Sequence, residues 1–168
     1  MTAANTGATP LTPARIIEVG MAFWPAKTLL AAIKLGIFTT LGESAMNGAE
    51  LCDSLGLNER SDPDFFDTLV ALHFLERDGN GPTATYRNTP ETAAFLDRSS
   101  PHFMGGFLEM ANDRLYPFWG GLEEALRTGK PQNEIKLAGK AVFEELYSQP
   151  ERLEQFMDAM AGISAGNF

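Results

Sequence analysis

The amino-acid sequence predicts a mainly α-helical fold: a winged-helix-like core with a small β-hairpin, flanked by helices at both ends. Three observations support this class. Apolar residues recur every three or four positions through most of the 168-residue chain, which is the period of helices with one buried face. Proline and glycine stand where helices begin and end. Two short strands, Leu75–Arg77 and Ala84–Asn88, flank the turn signal Asp78-Gly79-Asn80-Gly81.

The chain begins with a segment that predicts disorder and continues with two helices. Residues 1–10 are rich in Ala, Thr, Gly and Pro and lack the basic start and apolar core of a signal peptide, so we expect a disordered tail. Over residues 12–42, Thr12 caps the first helix, Pro13 enters it, and Pro25 restarts the chain into the second. Apolar side chains lie on more than one face of this helix pair, which indicates that a partner chain covers some of them. The alternative is that both helices pack on their own domain.

The middle of the chain, residues 47–96, predicts helix, turn, helix, hairpin and helix. Gly56 ends the helix Ala49–Leu55, and Ser61-Asp62-Pro63 opens the helix Phe65–Phe74. The predicted hairpin follows. This is the order of elements in a winged helix, which in DNA-binding proteins presents its second helix to the major groove.

Charge argues against DNA as the partner of this winged-helix-like core. From Asn47 to Asn88 there are three basic and eight acidic residues, a net charge of −5. The helix that would enter the groove carries Asp64 and Asp67 and no Arg or Lys, so phosphates would be repelled. The net charge of −9 for the whole chain likewise disfavours nucleic acid and anionic membranes.

The last third of the chain is predicted to be helical. Pro101 opens a segment that Gly105-Gly106 should weaken, and Asn112 or Asp113 starts a stronger helix that ends at Gly129. The apolar positions of that stronger helix are Leu115, Trp119, Leu122 and Leu126. After a loop, Ser148 caps a final helix whose apolar stripe is formed by Leu153, Phe156, Met157, Met160 and Ile163. The sequence ends soon after Ile163 and offers nothing to pack on the outer turns of this helix, so we expect the chain to lead into a further domain.

Signals for independent catalytic chemistry are weak. The single Cys52 excludes an internal disulfide and fits a cytoplasmic location. No His, Cys and carboxylate residues have metal-ligand spacing, His73 is expected to be a structural histidine on a helix, and His102 is expected to be exposed. The longest apolar stretch, Leu29 to Leu41, contains Lys34 and is too short to span a bilayer, so no membrane segment is predicted.

Several motifs nevertheless stand in a recognisable order. Ala-rich turns end in Leu35-Gly36-Ile37-Phe38, and Asn47-Gly48-Ala49-Glu50-Leu51 follows. Further along come Leu69 to Leu75, Tyr86-Arg87-Asn88-Thr89-Pro90, Trp119 with Thr128-Gly129, and Ala141 to Glu151. In this order and spacing, residues 11–168 resemble the N-terminal part of S-adenosylmethionine (SAM)-dependent O-methyltransferases of the acetylserotonin, caffeate and polyketide-tailoring type.

The resemblance implies an organisation and a function. Residues 11–100 would hold the dimerisation helices and the winged-helix-like subdomain, and residues 101–168 a helical substrate lid leading into a catalytic domain that the sequence lacks. The parent enzyme would be a homodimer that transfers methyl from SAM to a hydroxyl of an aromatic or polyketide-like acceptor, without a metal. Because the family's Asp-x-Gly-x-Gly-x-Gly loop and catalytic His are not found here, we expect these 168 residues alone to be inactive. The alternative is a stand-alone dimeric protein that binds aromatics or regulates.

The resemblance also implies site residues. Phe156 and Met160 match positions that hold the acceptor, and Leu115, Val142 and Leu146 match positions that line the same pocket. Two further residues, Tyr147 and Ser164, match positions that approach the cofactor from the lid side. No catalytic residue is implied within this chain, and Trp119 is expected to be a packing anchor.

Overall fold

The computed structural model describes residues 11–133 and, near the end of the chain, residues 150, 153, 154, 156, 157, 160 and 161. Within this part the fold is mainly α-helical, as predicted. In chain order the elements are α1 (Ala14–Met21), α2 (Phe23–Leu35), α3 (Ile37–Leu41), β1 (Met46–Asn47), α4 (Gly48–Leu55), α5 (Asp64–Ala71), β2 (Leu75–Asp78), β3 (Thr85–Asn88), α6 (Pro90–Phe95), α7 (Gly105–Met110), α8 (Tyr116–Trp119) and α9 (Leu122–Thr128).

The predicted hairpin is present, and the structure adds a third strand to it. Strands β2 and β3 pair antiparallel, with Leu75 opposite Asn88 and Asp78 opposite Thr85. Strand β1 pairs with the other edge of β3, where Met46 lies opposite Tyr86. The sequence does not reveal β1 because two residues are too few to show the alternation of a strand.

The core lies between helices α2 to α5 and the sheet. Its fully buried large side chains are Ile37, Phe38, Leu41, Leu51, Phe66, Leu69 and Tyr86. Phe66 of α5 contacts the ring of Tyr86 at a centroid distance of 5.3 Å. The Tyr86 hydroxyl donates to Asp67 Oδ1 at 2.9 Å, and Arg77 Nη1 lies 2.8 Å from Asp67 Oδ2. Burial and this hydrogen bond raise the pKa of Tyr86, so the phenol stays protonated and ties the sheet to α5.

The N-terminal region contains three helices where two were predicted. Gly36 ends α2 in the left-handed conformation, with φ of 79°, and α3 starts immediately after it. Helix α2 begins at Phe23, so Pro25 stands in its first turn, where a missing N–H is tolerated. As predicted, Thr12 supports the start of α1, since its Oγ1 accepts the N–H of Ala14 at 3.3 Å.

One helical segment of this region is longer than the sequence analysis expected. Helices α1 and α2 follow each other so closely that Ala14–Leu35 forms a 22-residue helical segment with a mean hydropathy of 1.5. By length and composition it could cross a bilayer, whereas the sequence analysis found no such segment. The difference arises because the chain stays helical through Pro25. The predicted lack of membrane contact remains a prediction.

The helix predicted to start at Asn112 or Asp113 does not start there. Helix α7 continues through a π-helical turn, Ala111–Leu115, into α8. A second correction concerns Gly120-Gly121, which separate α8 from α9 instead of lying inside one helix. The end at Gly129 is confirmed, because its N–H bonds the carbonyl of Ala125 at 2.8 Å with φ of 67°.

Gly105 has a packing role that the sequence analysis missed. It lies buried at the start of α7, where a Cβ would approach the Phe103 ring to 2.5 Å and Ile33 Cγ2 to 3.3 Å. The missing side chain therefore lets α7 approach α2 closely. Its effect on helix propensity is small because Gly105 is the first residue of the helix, not an interior one.

Of the two predictions about histidines, one is wrong and the other is confirmed. Helix α5 ends at Ala71, so His73 lies beyond it, exposed and in the left-handed conformation with φ of 62°. The expectation of a structural histidine on the helix is wrong, because His73 serves instead to turn the chain towards β2. His102 is exposed, as predicted.

We expect the capping box of α4 to contribute measurably to stability. Asn47 Oδ1 accepts the N–H of Glu50 at 3.0 Å, and Glu50 Oε2 accepts the N–H of Asn47 at 2.9 Å. Asn47→Ala should therefore lower the free energy of unfolding by about 1 kcal/mol, measured by urea denaturation, whereas Asn47→Asp should change it little. Equal losses for both variants would contradict this role.

Candidate functional site

Two apolar grooves lie on either side of the contact between α2 and α8. The first, here called the Trp119 groove, has a volume of about 550 Å³. Its walls are Leu30, Ala111, Leu115, Tyr116, Phe118, Trp119, Gln132 and Asn133. The second, the Trp24 groove, has a volume of about 520 Å³. Its walls are Phe23, Trp24, Lys27, Thr28, Ala31, Phe65 and Tyr116. Tyr116 thus belongs to both grooves.

The Trp119 groove is built by two breaks in helical regularity. The π turn supplies Leu115, and α8 then presents a run of three aromatic residues interrupted only by Pro117. The turn at Gly120-Gly121 lets the chain return, and a Cβ on Gly121 would lie 2.7 Å from Gln132 Oε1. The absence of that Cβ allows Gln132 to approach the end of the groove. The result is an apolar surface with amide groups at one end, a composition suited to flat, mostly apolar ligands.

Polar contacts lie next to the Trp119 groove. Lys27 Nζ donates to Asn112 Oδ1 at 2.5 Å and stands 5.1 Å from the centroid of the Tyr116 ring. Lys34 forms an ion pair with Asp113. These contacts join α2 to the π turn.

The predicted acceptor residues are only partly placed by the structure. Leu115 lines the Trp119 groove, with 49% of its surface exposed. Phe156 and Met160 are helical and half-buried, in agreement with the predicted last helix, and their role in binding an acceptor stays a prediction. The other predicted positions, Val142, Leu146, Tyr147 and Ser164, lie outside the described residues.

Trp119 requires a correction. It was expected to be a packing anchor, yet it is 73% exposed and forms part of the groove wall. Helical spacing gave no indication of which side of the helix is covered. The groove residues that sequence analysis missed are Leu30, Tyr116 and Phe118. The density of aromatic residues at 116–119 was the available signal.

The described residues show neither a metal-binding cluster nor a glycine-rich cofactor loop. Over these residues no group of three His, Cys, Asp or Glu side chains is placed to hold a metal ion. The three strands of the described part form one antiparallel sheet, and none leads into a glycine-rich loop that opens an α-helix, as nucleotide-type cofactors require. No chemical step can therefore be assigned to this part.

The surface of α1 and the start of α2 is apolar and uncovered. No residue of α1 is buried, and Ile16 is 77% exposed. The other exposed apolar side chains of this surface are Ile17, Val19, Phe23 and Trp24. Arg15 and Glu18 form an ion pair at 2.9 Å along the remaining edge of α1. An apolar surface this wide on a helix is typical of a protein interface.

Comparison with known proteins identifies this region. Residues 17–98, from within α1 to just beyond α6, match the family model of the O-methyltransferase dimerisation domain. This part of the chain is similar to the dimerisation domain of O-methyltransferases. The motif-based resemblance is thereby confirmed, and the matched range includes Ile17, Val19, Phe23 and Trp24 of the apolar surface but not Ile16.

Relatives extend the similarity beyond the dimerisation domain. The tetracenomycin polyketide synthesis 8-O-methyl transferase TcmO of Streptomyces glaucescens is 38% identical over 154 residues, which cover 92% of this chain and 43% of TcmO. The N,N-dimethyltransferase OxyT of Streptomyces rimosus is 32% identical over 153 residues, covering 89% of this chain and 43% of OxyT. The chain therefore spans less than half the length of these relatives.

A solved structure shows the same fold. The crystal structure of human N-acetylserotonin methyltransferase in complex with SAM matches with a TM-score of 0.84 at 24% identity. The match covers 96% of this chain and 48% of the human protein. The similarity of fold therefore includes helices α7 to α9, which follow residues 17–98.

We expect the Trp119 groove to bind an uncharged aromatic probe such as phenylnaphthylamine. Trp24→Phe leaves Trp119 as the sole tryptophan, so energy transfer from Trp119 reports binding at this groove. In that background Leu115→Arg should weaken binding about tenfold, because an apolar wall is replaced by a charge. Leu126→Arg is the matched control, since Leu126 is exposed on α9 outside the groove. Equal affinity of both variants would contradict the assignment.

Proposed function

We propose that this chain is the dimerisation and acceptor-binding part of a SAM-dependent small-molecule methyltransferase. The reaction would transfer a methyl group from SAM to a hydroxyl of an aromatic or polyketide-like acceptor. The Trp119 groove carries this proposal, because its volume and apolar lining suit a ligand of that kind and it adjoins an O-methyltransferase dimerisation domain. The similarity to TcmO supports a polyketide-like acceptor.

The proposed contribution of these residues is binding and positioning. When bound in the parent enzyme, SAM would supply the methyl group that replaces the proton of the acceptor hydroxyl. The aromatic walls of the groove would exclude water, and Gln132 and Asn133 would orient a polar substituent of the acceptor. The predicted contacts of Tyr147 and Ser164 with the cofactor belong to this proposal. The base and the main cofactor loop would come from the catalytic domain implied by the family.

We propose a homodimer formed through α1 and α2. The support is the exposed apolar surface around Ile16 and Trp24, together with the dimerisation-domain family that residues 17–98 match. Covering such a surface on two copies would bury an area on the order of 2,000 Å² or more, the size of an obligate interface.

A protein partner fits this surface better than a bilayer or a nucleic acid. Insertion of Ala14–Leu35 into a membrane would pull Ala32 and Ile33 out of the core and separate Lys34 from Asp113. Helix α5, the counterpart of a DNA-recognition helix in the proposed winged-helix-like core, has Asp64 and Asp67 in its first turn. The buried free thiol of Cys52 supports a cytoplasmic location.

The alternative function is a stand-alone dimeric protein that binds aromatics or regulates without catalysis. The groove favours this alternative to a limited degree, because its walls come from described residues that contain no cofactor site. The two functions differ in whether methyl transfer accompanies ligand binding.

We expect the chain to sediment as a dimer at micromolar concentration in analytical ultracentrifugation. The double variant Ile16→Glu/Val19→Glu should be monomeric, because it places charges within the apolar surface, and its fold should be unaffected since α1 has no buried residue. Arg15→Gln/Glu18→Gln changes the polar edge of the same helix and should remain dimeric. A monomeric mass for the unaltered chain would overturn the proposed dimer.

We expect the product of the complete gene that encodes this chain to transfer radiolabelled methyl from SAM to polyhydroxylated polyketide aromatics. The 168 residues alone should give no product, because they lack a cofactor site among their described residues. Amino-substituted counterparts of the same aromatics test the other chemistry represented by OxyT. Transfer to amines only would refute the hydroxyl acceptor, and probe binding without any transfer would favour the non-catalytic alternative.

A further inference from the structure

Two lysines of α2 contact the π turn next to the Trp119 groove. Lys27 and Lys34 are seven residues apart and so lie on one stripe of α2, two turns from each other. The first donates to Asn112 Oδ1 at 2.5 Å, and the second forms an ion pair with Asp113. Asn112 Nδ2 in turn donates to Asp113 Oδ1 at 3.0 Å. A continuous polar chain therefore links both ends of α2 to the π turn.

The π turn allows two sequence neighbours to face the same helix. In a regular α-helix, adjacent residues diverge by about 100°, so only one of Asn112 and Asp113 would point squarely towards α2. The wider turn at Ala111–Leu115 brings both onto the α2 side. The two lysine contacts therefore stabilise the π conformation in preference to a regular α-helix.

The same turn determines where the groove residues point. Ala111 and Leu115 belong to the π turn and line the Trp119 groove, and Tyr116 follows directly. Conversion of the turn to a regular α-helix would rotate α8 by about one residue, or about 100°, relative to α7. Leu115 and Trp119 would then no longer share a wall with Leu30 of α2.

We propose that Lys27 and Lys34 are positioning residues that hold the π turn, and thereby keep Leu115, Tyr116 and Trp119 in the orientation that receives the acceptor. The part that concerns the acceptor rests on the proposed function. The part that concerns the π turn rests on the contacts of α2 alone. Neither lysine touches the acceptor in this scheme, because Lys34 acts through Asp113, and Lys27 acts through Asn112 and the Tyr116 ring.

Amide hydrogen exchange tests the effect on the π turn without any ligand. In the full chain, Lys27→Met/Lys34→Met should accelerate exchange over residues 111–119 by about fivefold, since two partly exposed polar contacts are lost. Exchange in α4 should not change. Glu123→Gln, which breaks the exposed Arg127 pair on α9, is the matched control and should leave residues 111–119 unaffected. Unchanged exchange over residues 111–119 in the lysine variant would overturn the inference.

Probe binding and charge reversal then separate positioning from general stability. The affinity for phenylnaphthylamine should fall about fivefold in Lys34→Asp and in Asp113→Lys, and recover in the double variant that exchanges the two charges. High salt should weaken binding of this uncharged probe to the unaltered chain but not to Lys27→Met/Lys34→Met. Failure of the exchanged pair to recover affinity would overturn the inference.

The acceptor groove and the positioning role of the lysines can be refuted separately. If the unaltered chain binds no probe at all, the acceptor groove of the proposed function is refuted, while the exchange measurement still decides whether the lysines hold the π turn. If the probe binds equally to the unaltered chain and to the Lys27, Lys34 and Asp113 variants, the groove stands and the positioning role is refuted.

Discussion

The close packing of α2 against α7 is the constraint on which the rest of the structure depends. Ile33 of α2 is buried, and Gly105 permits the approach because any side chain there would meet the Phe103 ring. With α7 fixed on α2, the π turn and α8 extend along the same helix. Both grooves are then bounded by α2 on one side. A single helix therefore contributes to the core, to two grooves and to the uncovered apolar surface that continues into α1.

Because α2 contributes to the core and to both grooves, the apolar surface of α1 does not pack back onto the domain. The side of α2 that faces inward is already occupied by α5, α7 and the π turn, so α1, which continues the same helical path, projects beyond the core. Burial of a large apolar side chain contributes roughly 1.5 to 3 kcal/mol, so several such side chains left in water favour association strongly. The apolar surface of α1 thus stays exposed because the inward side of α2 is already occupied.

The sequence predicted elements whose cause is local, and missed those whose cause is distant. The hairpin, the ends at Gly56 and Gly129, and the apolar excess of α1 follow from residues close together in the chain. The π turn depends on Lys27 and Asn112, which are 85 residues apart, and no short-range pattern contains that contact. Trp119 was misjudged for a related reason, because helical spacing reveals that a residue is apolar but not which neighbour covers it. Gly105 was treated as a weak helix former since its partner Ile33 is likewise distant in sequence.

The contacts of Asp67 support the interpretation of the central helices as a scaffold. In a DNA-binding domain of this element order, the second helix needs cations on its outer face, and its acidic residues would be unfavourable. Here Asp67 instead accepts from Tyr86 and pairs with Arg77, which draws one of the few basic side chains of the region into an internal contact with the hairpin. The charge that would oppose phosphate thus holds α5 to the sheet. Because α5 also supplies Phe65 to the Trp24 groove, the same contact fixes one wall of that groove relative to α2.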